Sequence, residues 1–358
     1  MRLLIITTVF IIIMLHVLSL RAQTASNEIE PPKNIILMIG DGMGVAQIQA
    51  SMLAKGDQLH MQQFSEIGFM TTHSYNNGVT DSGAGGTAIA TGRKTRNGMI
   101  GMSHDSVPAP SMLEILAAKG LATGIVVSCA VTHATPASFI AKNINRNNYE
   151  EIAVDYLKVP VDVVIGGGIK HFAARKDYRN LENELIQNGY QVYRSLVEIN
   201  ADKYYILTDS VHPPSMIKNR GNFLPKATQL AISTLSKNES GFFMMVEGSQ
   251  IDWAGHDNDS AYLVQETIDF DEAVGEALKF AIQDNNTLVI VTADHETGGL
   301  TLSGSYKSAV LQPKLKFTSD DHTAVMVPVM AFGPGAESFK GFYDNVDLFQ
   351  KIMALVAE

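Results

Sequence analysis

Short apolar runs that end in glycine or an acidic residue recur along this chain. Asn34 to Gly40 (NIILMIG) is too short for a helix, is bounded by Pro31-Pro32 and Gly40, and predicts a strand buried on both faces. The pattern returns in TGIVVSC (123–129), VDVVIGGG (161–168), GFFMMVEG (241–248) and TLVIVTADHE (287–296). A late run, Val325 to Gly335, predicts a partly irregular strand, because Pro328 cannot donate to a ladder. Between these runs the apolar spacing becomes helical. Leu263, Phe270, Val274, Ala277 and Ala281 form one stripe of a long helix, and Leu348, Ile352 and Leu355 one side of a C-terminal helix. Shorter helices are expected from about Val45 to Lys55 and from Pro136 to Lys142, with Pro136 suited to a first turn.

Strand and helix alternate throughout, which predicts an α/β fold: a doubly wound, mainly parallel central sheet with helices on both faces. In such sheets ligands bind beyond the carboxyl ends of the strands. Here those ends carry Asp41, Glu247, Asp294 and His295. Tyr178 to Asn222 is polar and weakly patterned, and reads as an insertion at the sheet edge. Ser303 to Ser319 reads as a lid or hairpin.

The chain has 358 residues, and its first 22 change the picture of where it acts. Arg2, an apolar run from Leu3 to Leu20, then Arg21, Ala22 and the polar QTASNE form the pattern of a cleaved secretion signal, with a retained anchor as the alternative. A secreted or periplasmic protein is expected. The formal net charge is −10, and removal of a leader carrying Arg2 and Arg21 makes it more acidic. That balance argues against nucleic acid as a partner. The single cysteine, Cys129, cannot form an internal disulfide and lies in a strand-like setting, so it reads as a packed thiol.

Candidate chemistry clusters in a few places. Asn77 to Gly101 is a Gly/Ala-rich turn entering a helix near Ser82, with Thr80, Asp81 and Thr87 around it. Such a stretch lets backbone amides approach an anion and aims a helix N-terminus at it, although alone it also fits a surface loop. Asp41 in IGDGMG follows a strand; the glycine spacing fails the dinucleotide fingerprint, and a helix N-cap is the alternative reading. Asp252 and His256 share a helical face, where they could hold a cation or merely face solvent. Asp294 and His295 are adjacent, so both reach one ion only where the chain leaves its strand, a departure that Gly298-Gly299 eases. His322 adds another imidazole. This mixture of oxygen and nitrogen donors suits zinc or a similar dication, with an oxygen-only position left for magnesium. No GxSxG, P-loop or HExxH motif is present.

The motifs IGDGMG, VTDSGAGGTAIATG with RKTRNGMIG, HATP with the following Arg146, VEGSQIDWAGH, TADHETGG and HTAVMVPVMAFGPGA resemble those of the alkaline phosphatases, in the same order, from Asn34 to Ala336. The resemblance implies that 23–358 is a single catalytic domain hydrolysing small phosphate monoesters. It implies Ser82 as the nucleophile that becomes phosphoserine, and Arg146, oriented by Asp81, as the clamp on phosphate. One zinc is then expected on Asp252, His256 and His322, and a second on Asp41, Asp294 and His295 with Ser82. A third ion, usually magnesium, is expected on Asp41, Thr135 and Glu247. His133 and Trp253 stand where one bacterial branch has Asp and Lys, so His133 is a ligand, a contact of the ion's water shell or a packing group. Gly83, Gly85 and Gly86 replace alanines common in the family, which is expected to loosen the turn. The short stretch from His295 to His322 leaves little room for the insertion many relatives use in dimer contacts, so monomer and homodimer are both open. The alternatives are a phosphodiesterase of the same superfamily and a metal- or phosphate-binding protein without turnover. A sulfatase is disfavoured, since Cys129 is followed by Ala130 and Val131 rather than by a CxPxR motif.

Overall fold

Every residue of Asn34–Gly40 is buried, and this segment forms β1, near the middle of a ten-stranded sheet. The structure, a computed structural model, describes residues 31–56, 58–303 and 314–356. The expected leader, 1–22, lies outside the described residues. After β1 come α1 (Val45–Ala54), β2 (Glu66–Thr71), α2 (Ser82–Thr91), α3 (Met112–Ala118) and β3 (Ala122–Ala130). The chain continues through α4 (Ala134–Ala137), α5 (Tyr149–Asp155), β4 (Val163–Gly167), α6 (Ile169–Ala173), α7 (Leu181–Gln187), β5 (Gln191–Tyr193) and β6 (Tyr204–Leu207). Then follow α8 (Phe223–Leu235), β7 (Phe242–Gly248), α9 (Gln250–His256), α10 (Ser260–Asp284) and β8 (Thr287–Thr292). Four short strands, β9 (Glu296–Thr297), β10 (Thr301–Ser303), β11 (Lys314–Lys316) and β12 (His322–Thr323), precede β13 (Val327–Phe332), β14 (Gly341–Asp344) and α11 (Asn345–Leu355).

The main sheet has the order β14-β2-β13-β8-β1-β7-β3-β4-β6-β5. Its pairs are parallel except those of β13, which runs antiparallel to both β2 and β8. β1, β7 and β8 are buried along their whole length, as strands covered on both faces must be. The predicted α10 stripe from Leu263 to Ala281 is buried against this core. Because β1 is flanked by β7 and β8, which come from far along the chain, the carboxyl ends of β3, β7, β1 and β8 lie side by side.

Two local expectations need correction. The helix expected from Pro136 to Lys142 is a single turn, Ala134–Ala137, with Pro136 at its third position. Asn143 exchanges both backbone hydrogen bonds with Ile100, which draws the chain out of the helix. Pro328 does not disorder β13, since the β8 ladder reaches only Met330 and the Pro328 carbonyl accepts from Thr292 Oγ1 at 2.9 Å. Residues 178–222 lie at the sheet edge, as expected, where they supply the strands β6 and β5. In the segment read as a lid or hairpin, β10 and β11 pair antiparallel. Among the described residues no helix is long and apolar enough to cross a membrane.

Candidate active site

Four strand ends deliver the site. Asp41 follows β1, and the N-cap reading for it fails, because α1 is capped by Gly44 without a side-chain bond. Its carboxylate instead meets residues that follow β8: His295 Nε2 lies 3.3 Å from Asp41 Oδ1 and 3.4 Å from Asp294 Oδ2. Asp294 and His295 stand beyond the end of β8, where the chain leaves the strand before Gly298 (φ +89°) and Gly299 (φ +55°). The helix α9 after β7 turns Asp252 and His256 to one side, with His256 Nε2 3.4 Å from Asp252 Oδ1. β12 pairs with β9 and brings His322 to the same carboxylate, also at 3.4 Å. Asp41, Asp294 and His295 thus form one group able to hold a cation, and Asp252, His256 and His322 another.

Ser82 is the first residue of α2, and its Oγ lies 3.2 Å from His295 Nε2. The flanking hydroxyls are otherwise engaged: Thr80 Oγ1 donates to the Asp81 carbonyl, and Thr87 Oγ1 accepts from the Gly101 amide. Asp81 caps α2 by accepting from the Ala84 amide, while its Oδ2 accepts from the Gly98 amide and from Arg146 Nη1, each at 2.9 Å. The guanidinium is therefore held by a carboxylate one residue before Ser82. All ten residues of α2 are buried, and a Cβ at Gly85 would meet the Asp294 carbonyl at 2.9 Å. The glycines thus serve close approach rather than a loosened turn.

The electrostatics describe a pocket short of positive charge. Burial, then Asp294 and the other carboxylates, pushes Asp41 well above the usual carboxylate range. Burial, with Asp294 adding, raises Glu247 to about 7; burial, with Asp252 adding, raises Asp294 to about 6. At Asp252 burial pushes upward, yet His322, His295 and His256 hold the carboxyl below its ordinary value. Burial pushes His322 down, but Asp252 outweighs it and raises the imidazole to about 9. Asp41 Oδ1, Asp294 Oδ2 and Glu247 Oε1 are buried without a hydrogen-bond partner. Leaving buried acceptors unpaired is costly, and dications at the two groups these oxygens belong to would satisfy them. The donor set of carboxylate oxygens and imidazole nitrogens fits zinc or a similar ion.

The residues expected at the third position, Asp41, Thr135 and Glu247, lie close together. Thr135 Oγ1 lies 3.5 Å from Asp41 Oδ2, and Glu247 accepts from Ser249 Oγ at 2.7 Å. The cation-competent group around Glu247 adds Cys129 and His133. His133 is buried with an unpartnered Nδ1, its ring edge-on to Trp253 at 5.8 Å and to His212 at 6.0 Å. Burial, then Arg146 and His212, lowers it to about 3, so it is a neutral imidazole. Trp253, the other residue expected in the third ion's shell, packs edge-on against His133 and His212.

Sequence reasoning missed the residues that hold these side chains in place. Gln47 Nε2 donates to Glu296 Oε1 at 2.6 Å, and Glu296 also takes Thr323 Oγ1 and the Leu300 amide, tying β9 to β12. Thr297 donates to Asp252 Oδ1 at 2.5 Å. Both lie inside TADHETGG, but nothing in the spacing separates them from ordinary loop residues.

The comparisons with known proteins agree with this geometry. A family model described as Alkaline phosphatase matches residues 32–316. Alkaline phosphatase 4 of Bacillus subtilis (strain 168) is 34% identical, over 88% of this chain and 87% of its own. The solved structure of alkaline phosphatase from the Antarctic bacterium TAB5 superposes with a TM-score of 0.89 at 42% identity, covering 92% of this chain and 99% of that one. A variant of that protein with one histidine replaced by aspartate, solved with Mg bound in its M3 site, matches at a TM-score of 0.89, 42% identity and the same coverage.

Proposed function

Since the chain belongs to the alkaline phosphatase family and is a phosphomonoester hydrolase, we propose that it works through a covalent phosphoserine at Ser82. The observation that carries this reading is the placement of Ser82 Oγ, 3.2 Å from His295 Nε2 at the head of α2, with Arg146 fixed by the preceding Asp81.

Two zinc ions are assigned to the groups Asp252, His256, His322 and Asp41, Asp294, His295, with Ser82 completing the second. A third ion, magnesium by the family pattern, is assigned to Asp41, Thr135 and Glu247, with His133 beside it. Bound cations of this kind lower the pKa of a hydroxyl and neutralise charge on the attacking and leaving oxygens. The chain's own residues do the rest. Ser82 Oγ attacks phosphorus from the N-terminus of α2, whose dipole favours the phosphoryl charge. Ser82 gives its hydroxyl proton to solvent, the Oγ–P bond forms as the ester P–O bond breaks, and the alcohol leaves with a proton from solvent. Arg146 presents a planar fork to two equatorial oxygens, and Asp81 keeps that fork aimed. Water then attacks phosphorus on the side the alcohol left, the Oγ–P bond breaks, and Ser82 is regenerated. Two displacements give net retention at phosphorus.

The groups named grip the phosphoryl moiety and leave the alcohol unread, which supports a broad set of small monoesters. The domain is assigned to 23–358 and the protein to the periplasm or exterior on the leader pattern, as a monomer or homodimer. The experiment is to quench the enzyme with inorganic phosphate at acidic pH and map phosphorylation by mass spectrometry. Phosphate on Ser82, absent in Ser82→Ala together with turnover of an aryl phosphate, is expected. Unchanged turnover in Ser82→Ala removes the assigned nucleophile, and a diester hydrolysed faster than the monoester favours the phosphodiesterase reading.

A further inference from the structure

One hydroxyl that belongs to neither carboxylate–imidazole group touches both. Thr297 is wholly buried; its Oγ1 donates to Asp252 Oδ1 at 2.5 Å and lies 3.2 Å from His295 Nδ1. A threonine hydroxyl has a single proton to give, and an ionised carboxylate can only accept. The proton therefore goes to Asp252, and the remaining lone pairs of Oγ1 can only accept from His295 Nδ1–H. That bond fixes the His295 tautomer, as the partner of a ligating imidazole's second nitrogen generally does. The Nε2 lone pair is then bare and faces Ser82 Oγ at 3.2 Å, Asp41 Oδ1 at 3.3 Å and Asp294 Oδ2 at 3.4 Å.

The hydroxyl sits in a slot cleared by two glycines. A Cβ at Gly42, whose φ is +78°, would lie 2.8 Å from Thr297 Oγ1 and 2.7 Å from Asp252 Cα. A Cβ at Gly255 would lie 2.9 Å from Thr297 Cγ2. The Thr297 amide donates to the Gly42 carbonyl at 3.1 Å, and Thr297 pairs with His322 across β9 and β12. The backbone after β1, helix α9 and the β9–β12 pair thus close around one side chain.

We propose that Thr297 is a positioning residue that couples the two cation-binding groups, so that a cation held by one raises the affinity of the other. A cation on Asp252, His256 and His322 fixes the Asp252 carboxylate. The fixed carboxylate orients the Thr297 O–H, and the oriented oxygen holds His295 with Nε2 aimed at its own group. By linkage the effect is reciprocal. The inference rests on the reading of both groups as cation sites.

The test is calorimetric titration of zinc into the chelated full-length protein for wild type, Thr297→Val and Thr297→Ser. Valine replaces the hydroxyl by a methyl of similar size. Thr297→Val is expected to bind zinc about 10–100-fold more weakly and without cooperativity; Thr297→Ser is expected to restore cooperativity. Because Thr297→Val could fold poorly, ¹⁵N-histidine NMR of the zinc-loaded wild type supplies a second readout, in which His295 is expected to carry its proton on Nδ1 and coordinate through Nε2. Two zinc ions bound independently by the wild type, cooperative wild-type affinity in Thr297→Val, or a proton on His295 Nε2 overturns the coupling alone. A wild type that binds no zinc overturns the reading of the groups as well.

Discussion

The Nε2 atoms of His256 and His322 face each other at 3.1 Å, while each ring directs Nδ1 at a backbone carbonyl 2.7 Å away, that of Asp320 for His256 and of Thr80 for His322. With both Nδ1 protons donated to carbonyls, two neutral rings present bare lone pairs to each other and to Asp252, an arrangement that repels unless positive charge lies between them. Proton or dication can supply it. Chelation should therefore lower the thermal midpoint, and zinc at a thousandfold excess over its dissociation constant should restore about 4 kcal/mol. Differential scanning calorimetry with elemental analysis checks this; identical midpoints for chelated and loaded protein contradict it.

Arg146 has a sharper use than bulk positive charge. Its Nη1 is held by Asp81 Oδ2, which leaves the rest of the fork for phosphate oxygens. Charge-assisted hydrogen bonds contribute about 1.5–3 kcal/mol each, so Arg146→Ala should weaken inorganic phosphate about 10–100-fold for each bond lost. Arg146→Lys keeps the charge but not the planar pair of donors, and should recover only part of the loss. Competition assays give both inhibition constants. A lysine variant equal to the wild type means the fork is not what binds.

The pH dependence of cation binding follows from the three displaced protons. In the cation-free protein burial raises Glu247 to about 7 and Asp294 to about 6, while Asp252 holds His322 at about 9 against the downward push of burial. All three are raised, so each group keeps a proton below its value and must release it to become a ligand. Apparent affinity for zinc, through Asp294 and His322, and for the third ion, through Glu247, should rise with pH through the window from 6 to 9. On the acid side of a given group each unit costs about tenfold per proton displaced. Calorimetry in buffers of different ionisation enthalpy counts the protons. A flat affinity between pH 6 and 8.5 contradicts the assignment.

The sheet and the candidate ligands were legible in the chain for a simple reason. Buried parallel strands read as unbroken apolar runs, and their carboxyl ends display whatever follows, so Asp41, Asp294 and His295 stood in plain view. Asp252 and His256 were readable from one turn of helix. What stayed hidden depends on contacts between distant segments. The helix expected to reach Lys142 stops because Asn143 pairs with Ile100, and no local propensity reports that pairing. Gln47 and Glu296 meet across 249 positions, and Thr297 is polar, small and ordinary until Gly42 and Gly255 are placed against it. Ligands announce themselves by chemistry, whereas the groups that orient them are chosen by shape.

Gly255 offers the cleanest contest between local and tertiary terms. Within a helix alanine is favoured over glycine by about 1 kcal/mol, so propensity alone predicts that Gly255→Ala stabilises α9. The added Cβ, however, would lie 2.9 Å from Thr297 Cγ2, closer than real Cβ contacts come, and 3.0 Å from the Thr297 carbonyl. Overpacking of this kind costs about 1–3 kcal/mol, enough to cancel the gain and reverse it. The methyl also pushes β9 away from α9, which separates Thr297 from Asp252. The expected outcome is a lower thermal midpoint in the chelated protein and a larger drop in the zinc-loaded one, since the loaded state needs both groups aligned. A raised midpoint with unchanged zinc affinity would mean that β9 yields freely, and that the close fit around Thr297 plays no part in holding the site.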